Sequence, residues 1–233
     1  MTTPRSFVLV HGAYHGGWCW RDVTAILAAA GHRVYMPTLT GLGERAHLMS
    51  GSINLDTHIA DVVNVFKREN IVDAVLCGHS YGGWVISGAL ELLGGQVSSV
   101  VFLDAYVPEN GEMGVDNSSN AEEIRSAVRN GKISRPKPDA AKYTAKTNNL
   151  CWLNANLTDQ PIGVSLQPIR LNGARDHVAI KTYIRAKDFK HPPFDKYLNE
   201  AKEKGWRTYE LNCGHDVMVD MPERLAEILR EVA

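Results

Sequence analysis

The sequence predicts an α/β fold, a mostly parallel sheet of about six strands with helices on both faces. Three observations predict it. Short, continuously apolar runs at 7–10, 74–77 and 100–103 have strand length and lack the alternation of a half-solvated strand. The stretches between them carry apolar residues at helical spacing. The segment Ala74-Val75-Leu76-Cys77-Gly78-His79-Ser80-Tyr81-Gly82-Gly83 runs from one such strand through G-x-S-x-G into a helix.

Taken in order, residues 7–10 form a buried strand, and residues 19–30 a helix stopped by Gly31. Residues 33–36 make a second strand, closed by Pro37. Ile59, Val62, Val63 and Phe66 place a helix over 57–69, with Asp56 as its N-cap. A strand at 74–77, a helix at 81–93 and a strand at 99–103 follow. Residues 108–168 break this rhythm. The stretch is polar at Asn117, Ser118, Ser119 and Asn120, then carries Pro136 and Pro138. It holds one helix over 121–129 and further helix within 140–157, anchored by Trp152. An insertion of this length between two sheet strands predicts a helical lid or cap on a single domain spanning 1–233. Strands at 181–185 and 207–211 and helices at 194–204 and 222–232 complete the pattern, with Pro222 in the first turn of the last helix. No internal repeat interrupts it.

The composition narrows the function. A chain of 233 residues can bury one core. Its formal charge of −1, with no basic stripe, excludes nucleic acid as the expected partner. No apolar run reaches the roughly 20 residues that span a bilayer. The first residues lack a signal-peptide layout, and Cys19, Cys77, Cys151 and Cys213 are widely spaced without a C-x-x-C pair, so a reduced, cytoplasmic setting is expected. No H-E-x-x-H or Cys/His cluster points to a metal. Gly41-Leu42-Gly43-Glu44-Arg45 lacks the third glycine and the acidic follow-up of a dinucleotide loop. The expected partner is a small molecule, bound by a monomer or homodimer without a cofactor.

A serine on a sharp strand-to-helix turn points to nucleophilic chemistry at Ser80. A serine hydroxyl needs a base to take its proton and a group to orient that base. His215 fits the base, because it follows the last strand in Asn212-Cys213-Gly214-His215-Asp216 and comes after the serine in the chain. Asp104 is the favoured acid: it closes the apolar run 100–103, and a carboxylate there needs a partner. Asp188, after the strand at 181–185, is the rival. Asp216 is too close in sequence to orient its neighbour, and Asp220 reads as a helix-start residue. The amides of Ala13 and Tyr81 are placed for an oxyanion hole, with Gly12 letting the backbone come close to the substrate. Tyr14 and Trp84 are candidate pocket walls, Trp18 and Trp20 weaker ones. His79 is expected to point into the scaffold, and His47, His58 and His191 to be ordinary loop or helix-start residues.

The run from Phe7 through His11-Gly12-Ala13-Tyr14-His15-Gly16-Gly17 to Trp20, with Gly78 to Gly83 and Gly214-His215, resembles the small α/β-hydrolases that include plant methylesterases and hydroxynitrile lyases. The resemblance covers the sheet core on both sides of the insertion. It implies an α/β-hydrolase fold and a cofactor-free serine hydrolase, carboxylesterase-like, acting on small, rather apolar esters or related acyl compounds. Bacterial relatives that act on pyrethroids and aryl carbamate methyl esters belong to the same group. Hydroxynitrile lyases carry threonine where this chain has Gly12 and cysteine where it has Tyr81, which argues against cyanohydrin cleavage. Methylesterases take their acid from the later strand, so the resemblance leaves Asp104 and Asp188 both open. Lyase-type carbon–carbon cleavage with the same three residues, and a non-catalytic small-molecule receptor, are the alternative readings.

Overall fold

The computed structural model describes residues 3–118, 121–144 and 146–233. Ser119 and Asn120 of the polar stretch lie outside the described residues. In chain order the elements are β1 (Ser6–Val10), α1 (Arg21–Ala29), β2 (Arg33–Tyr35), α2 (Leu55–Glu69), β3 (Ala74–His79), α3 (Gly82–Leu93) and β4 (Val97–Leu103). After these come α4 (Ala121–Arg129), β5 (Ser134–Arg135), α5 (Leu150–Asn156) and β6 (Gln160–Pro161). The chain closes with β7 (Ile180–Ala186), α6 (Pro192–Glu203), β8 (Arg207–Leu211), α7 (Val217–Asp220) and α8 (Pro222–Glu231).

Six strands form one sheet in the order β2-β1-β3-β4-β7-β8, with every pairing parallel. A parallel sheet must be covered on both faces, and successive side chains point to opposite faces. The alternation shows directly in the core. Val8, Val10, Leu76, Val100 and Phe102 pack with α2, α3 and α6 on one face. Phe7, Leu9, Val75, Cys77, Val101 and Leu103 pack with α1, α7 and α8 on the other. Buried apolar residues on both faces of the inner strands β1, β3 and β4 account for the unbroken hydrophobic runs in the sequence.

Helix starts differ from the sequence reading where capping chemistry decides. Asn54, not Asp56, caps α2: its side chain accepts from Thr57 N at 3.0 Å while Thr57 Oγ1 accepts from Asn54 N at 3.3 Å. This reciprocal pair satisfies two amides at the helix entrance. Residues Gly17–Trp20 form a tight 3₁₀ turn ahead of α1, so the helix begins later than its apolar spacing suggests. Asp220 ends α7 instead of starting α8; its carboxylate accepts from Gly214 N at 2.8 Å and from the Thr144 hydroxyl. Cys19, Cys77 and Cys213 are buried, whereas Cys151, on α5, is exposed.

Between β4 and β7 the chain leaves the sheet. This excursion carries α4, α5 and a two-residue antiparallel ribbon in which Arg135 pairs with Gln160 and Ser134 with Pro161. It is stitched to the loops at the carboxyl edge of the sheet. Thr158 N donates to Tyr14 O at 2.9 Å, Tyr14 N donates to the Gln160 side chain at 2.8 Å, and Asp216 N donates to Tyr143 O at 2.9 Å.

Candidate active site

β1 and β3 are neighbours in the sheet, yet β2 lies beyond β1 and the remaining strands lie beyond β3. The crevice at the carboxyl ends of two such strands is where open α/β sheets place their ligands. Ser80 follows β3 at this point, with a backbone φ of 52°, in the left-handed region that side chains disfavour. The turn is held by close packing. A Cβ on Gly78 would sit 2.7 Å from Gly82 O, and one on Gly82 would sit 2.8 Å from Val10 O. A Cβ on Gly83 would fall 2.0 Å from Tyr106 O. Only glycines let β3, α3 and the neighbouring backbones approach so closely. The strain is fixed by hydrogen bonds: Ser80 N donates to Leu103 O at 3.2 Å, and Ser80 O accepts from Gly83 N at 3.0 Å and Tyr106 N at 3.2 Å.

His215 stands on the loop after β8, and its Nδ1–H donates to Asp104 Oδ2 at 2.6 Å. Asp104 is fully buried, at the end of β4. The other carboxylate oxygen accepts from Arg185 Nη1 at 2.8 Å and from Ala186 N at 3.0 Å. Arg185 is itself buried and spreads its remaining donors over Asp195, Phe189 O and Ala186 O. A buried charge is tolerable only when so paired. Asp188 is exposed, and its backbone amide donates to Cys213 O at 3.2 Å. With Nδ1 committed to Asp104, the His215 ring has Nε2 left for chemistry. Phe189 stacks on that ring at 4.3 Å between centroids and 24°, with Phe194 and Tyr143 each at 5.6 Å.

Ser80 and His215 line the same cavity, of about 380 Å³. Ala13, Tyr14, Tyr81 and Trp84 also line it. Among the described residues neither the Ala13 nor the Tyr81 amide donates to a protein acceptor. Gly12 does not line the cavity. A Cβ there would meet His79 Nδ1 at 2.8 Å and Ser80 Cβ at 3.0 Å, so this glycine lets the β1 loop close against the elbow from behind. Trp20 is fully buried in the core, and Trp18 stacks on His15 with ring centroids 5.3 Å apart.

The histidines around the site are more specialised than their sequence context suggests. His15 Nδ1 faces Ala13 O at 2.8 Å and Nε2 faces Asp216 Oδ2 at 3.2 Å, both beneath the surface. A carbonyl and a carboxylate can only accept, so both ring nitrogens donate and the ring is an imidazolium. Burial opposes the His15 charge, but Asp216 outweighs it and raises the pKa above its ordinary value. Burial likewise pushes the Asp216 carboxyl up, and the His15 charge overrides this to hold it at about 2. His79 is buried, and its Nε2–H donates to His215 O at 3.0 Å. Burial, then the nearby His215, drives its pKa far down, so it is a neutral strut. His58 bonds Tyr81 Oη at 3.0 Å and Thr40 O at 2.8 Å, and burial lowers its pKa to about 4. His191 lines the cavity with its Nε2 3.2 Å from Tyr106 Oη. Arg135, Lys142 and Lys190 also border the cavity, a cationic set that sequence reasoning missed.

A strained serine between β3 and α3, a histidine held by a buried carboxylate and two open amides define the class of nucleophile-elbow α/β enzymes. The sequence matches the model of the alpha/beta hydrolase family over residues 7–228, and the chain belongs to that family. It is 39% identical over 237 residues to the carbendazim hydrolyzing esterase of Nocardioides sp. (strain SG-4G), covering 96% of this chain and 98% of that protein. It is 34% identical over 105 residues to Methylesterase 1 of Arabidopsis thaliana, a match over 44% of this chain and 40% of that protein. Among solved structures, an extracellular alpha/beta-hydrolase from a Paenibacillus species superposes with a TM-score of 0.86 at 20% identity, covering 99% of both chains. Among the described residues no helix is long and apolar enough to cross a membrane.

Proposed function

We propose that the ester hydrolysis this family member performs runs through an acyl-enzyme on Ser80, with His215 as the base and Asp104 as the acid that orients it. The observation that carries the reading is the 2.6 Å contact between His215 Nδ1 and the buried Asp104, in a cavity that Ser80 shares. Ser80 Oγ attacks the ester carbonyl as His215 Nε2 takes its proton. The carboxylate of Asp104 stabilises the imidazolium that forms. The oxyanion of the tetrahedral intermediate receives the amides of Ala13 and Tyr81, which the turn and the start of α3 hold ready before reaction. Collapse breaks the bond to the alkoxy oxygen, which leaves with the proton from His215. Water then attacks the acyl group, giving its proton to His215, and the acid departs as Ser80 Oγ is reprotonated.

Aromatic walls at Tyr14, Trp84 and Phe194 suit small, rather apolar esters. The excursion at 108–168 is read as a cap over this pocket. The four unpaired cysteines favour a reduced, cytoplasmic setting, in a monomer or homodimer. Ser80→Ala should lower kcat on short aryl esters about 10⁴-fold or more, and an organophosphonate probe should label the parent chain at position 80 but not the variant. Full activity in Ser80→Ala would overturn the reading.

A further inference from the structure

Among the described residues, Arg135 borders the reaction cavity without a protein counter-charge. It lies on β5 in the excursion, faces the cavity that holds Ser80 and His215, and also borders a neighbouring cavity with Glu123 and Asp159. It forms no ion pair with either acid. Its Nε is buried without an acceptor, and its guanidinium sits 5.6 Å from the centre of the Tyr14 ring. Gln160 is its cross-strand partner. Directly paired residues project from the same face of a ribbon. Gln160 is fully buried, its Oε1 holds Tyr14 N at 2.8 Å, and its Nε2 likewise has no acceptor. Two buried donors, one of them charged, therefore share the ribbon face that covers the oxyanion loop. Buried donors of this kind call for an acceptor. Elsewhere around the cavity Lys142 and Lys190 add positive charge, and among the described residues no carboxylate lines its wall. Arg135 also stands central to the tyrosines: burial raises the phenol pKa of Tyr14, Tyr81, Tyr106 and Tyr143, and in each case the Arg135 charge pulls against it.

We propose that Arg135 forms an anion subsite of the reaction cavity, taking a carboxylate that the ester substrate carries away from its scissile carbonyl. The proposal rests on the ester hydrolysis assigned above and names its substrate class: half-esters and other anionic esters, in preference to neutral ones of the same length. A guanidinium suits this task because its planar fork meets a carboxylate with two parallel hydrogen bonds. The apolar walls hold the chain between the two carbonyl ends.

The test is a ratio of kcat/KM values, anionic ester over neutral ester of the same chain length. In one arm the charge is on the acyl side, mono-p-nitrophenyl glutarate against p-nitrophenyl pentanoate. In the other it is on the alcohol side, 3-acetoxypropanoate against propyl acetate. Arg135→Gln should lower this ratio about tenfold in at least one arm, through KM more than kcat, and Arg135→Lys should restore part of it. The arm that responds identifies which side of the substrate carries the charge. A fall of less than about threefold in both arms overturns the proposal. Should Arg135→Gln fail to fold, the parent chain decides: the ratio must decline with added salt in one arm, and a flat response in both overturns it. Ser80→Ala separates this outcome from the broader reading. Loss of turnover for all four esters upholds the acyl-enzyme route whatever the ratio does.

Discussion

Among the described residues, three of the five non-glycine residues with positive φ cluster at the site: Tyr14 at 68°, Ser80 at 52° and Asp104 at 41°. Each follows the carboxyl end of β1, β3 or β4, so the backbone strain is concentrated where side chains must leave the sheet at sharp angles. The arrangement makes Asp104 hard to replace. Asp104→Asn should lower kcat by about 10⁴, because an amide holds the His215 ring in the wrong tautomer. Asp188→Asn, in an exposed loop, should stay close to the parent rate, and steady-state kinetics on one aryl ester compares the two. Gly83→Ala should cost about 3 kcal/mol of stability, read by urea denaturation, since its new methyl meets Tyr106 O on a fixed backbone. Ser80 and Asp104 stand out in the sequence because each follows an apolar strand, where a polar residue is conspicuous, whereas His215 stands out by its place after the last strand and after the serine in the chain. Arg185 was not legible: a charged residue within a strand reads as solvent-facing, and nothing local shows that it turns inward to Asp104. The His15–Asp216 pair was equally hidden, because its members are 201 positions apart in the chain.

At the level of single elements, unbroken apolar runs located the inner strands β1, β3 and β4, because burial on both faces imposes them. Helix entrances were harder. The Asn54–Thr57 box depends on a local hydrogen-bond geometry that Asp56, two positions later, could imitate in sequence. Asn54→Ala should lower stability by about 1 kcal/mol, a Tm loss of roughly 2–4 °C, whereas Asp56→Ala should do less. Differential scanning calorimetry resolves that difference. The β5–β6 ribbon escaped sequence reading entirely. Two residues per strand are too few for any alternation to register, and its Gln160 side chain is held by Tyr14 N, 146 positions away in the chain.

Across the whole molecule, the His15–Asp216 ion pair ties the loop after β1 to the segment entering α7, so distant parts of the chain share one charge balance. Folding raises the His15 pKa above 6.5 and lowers the Asp216 pKa from 3.8 to about 2. The stabilisation is therefore complete above pH 3.8 and below pH 6.5. It fades in acid as the pH falls through the Asp216 value, and in base as the pH rises through the raised His15 value. The Tm gap between the parent chain and Asp216→Asn should accordingly be widest in that interval and narrow in alkaline buffer. A gap that grows with alkalinity would contradict the imidazolium assignment.

The placement of the thiols makes the molecule its own reporter. With three cysteines enclosed and Cys151 alone at the surface of α5, a maleimide dye should attach at a single position on the excursion between β4 and β7. One modification in native buffer and four in denaturant would follow from that partition, and the label's emission would report on the excursion without any engineered handle.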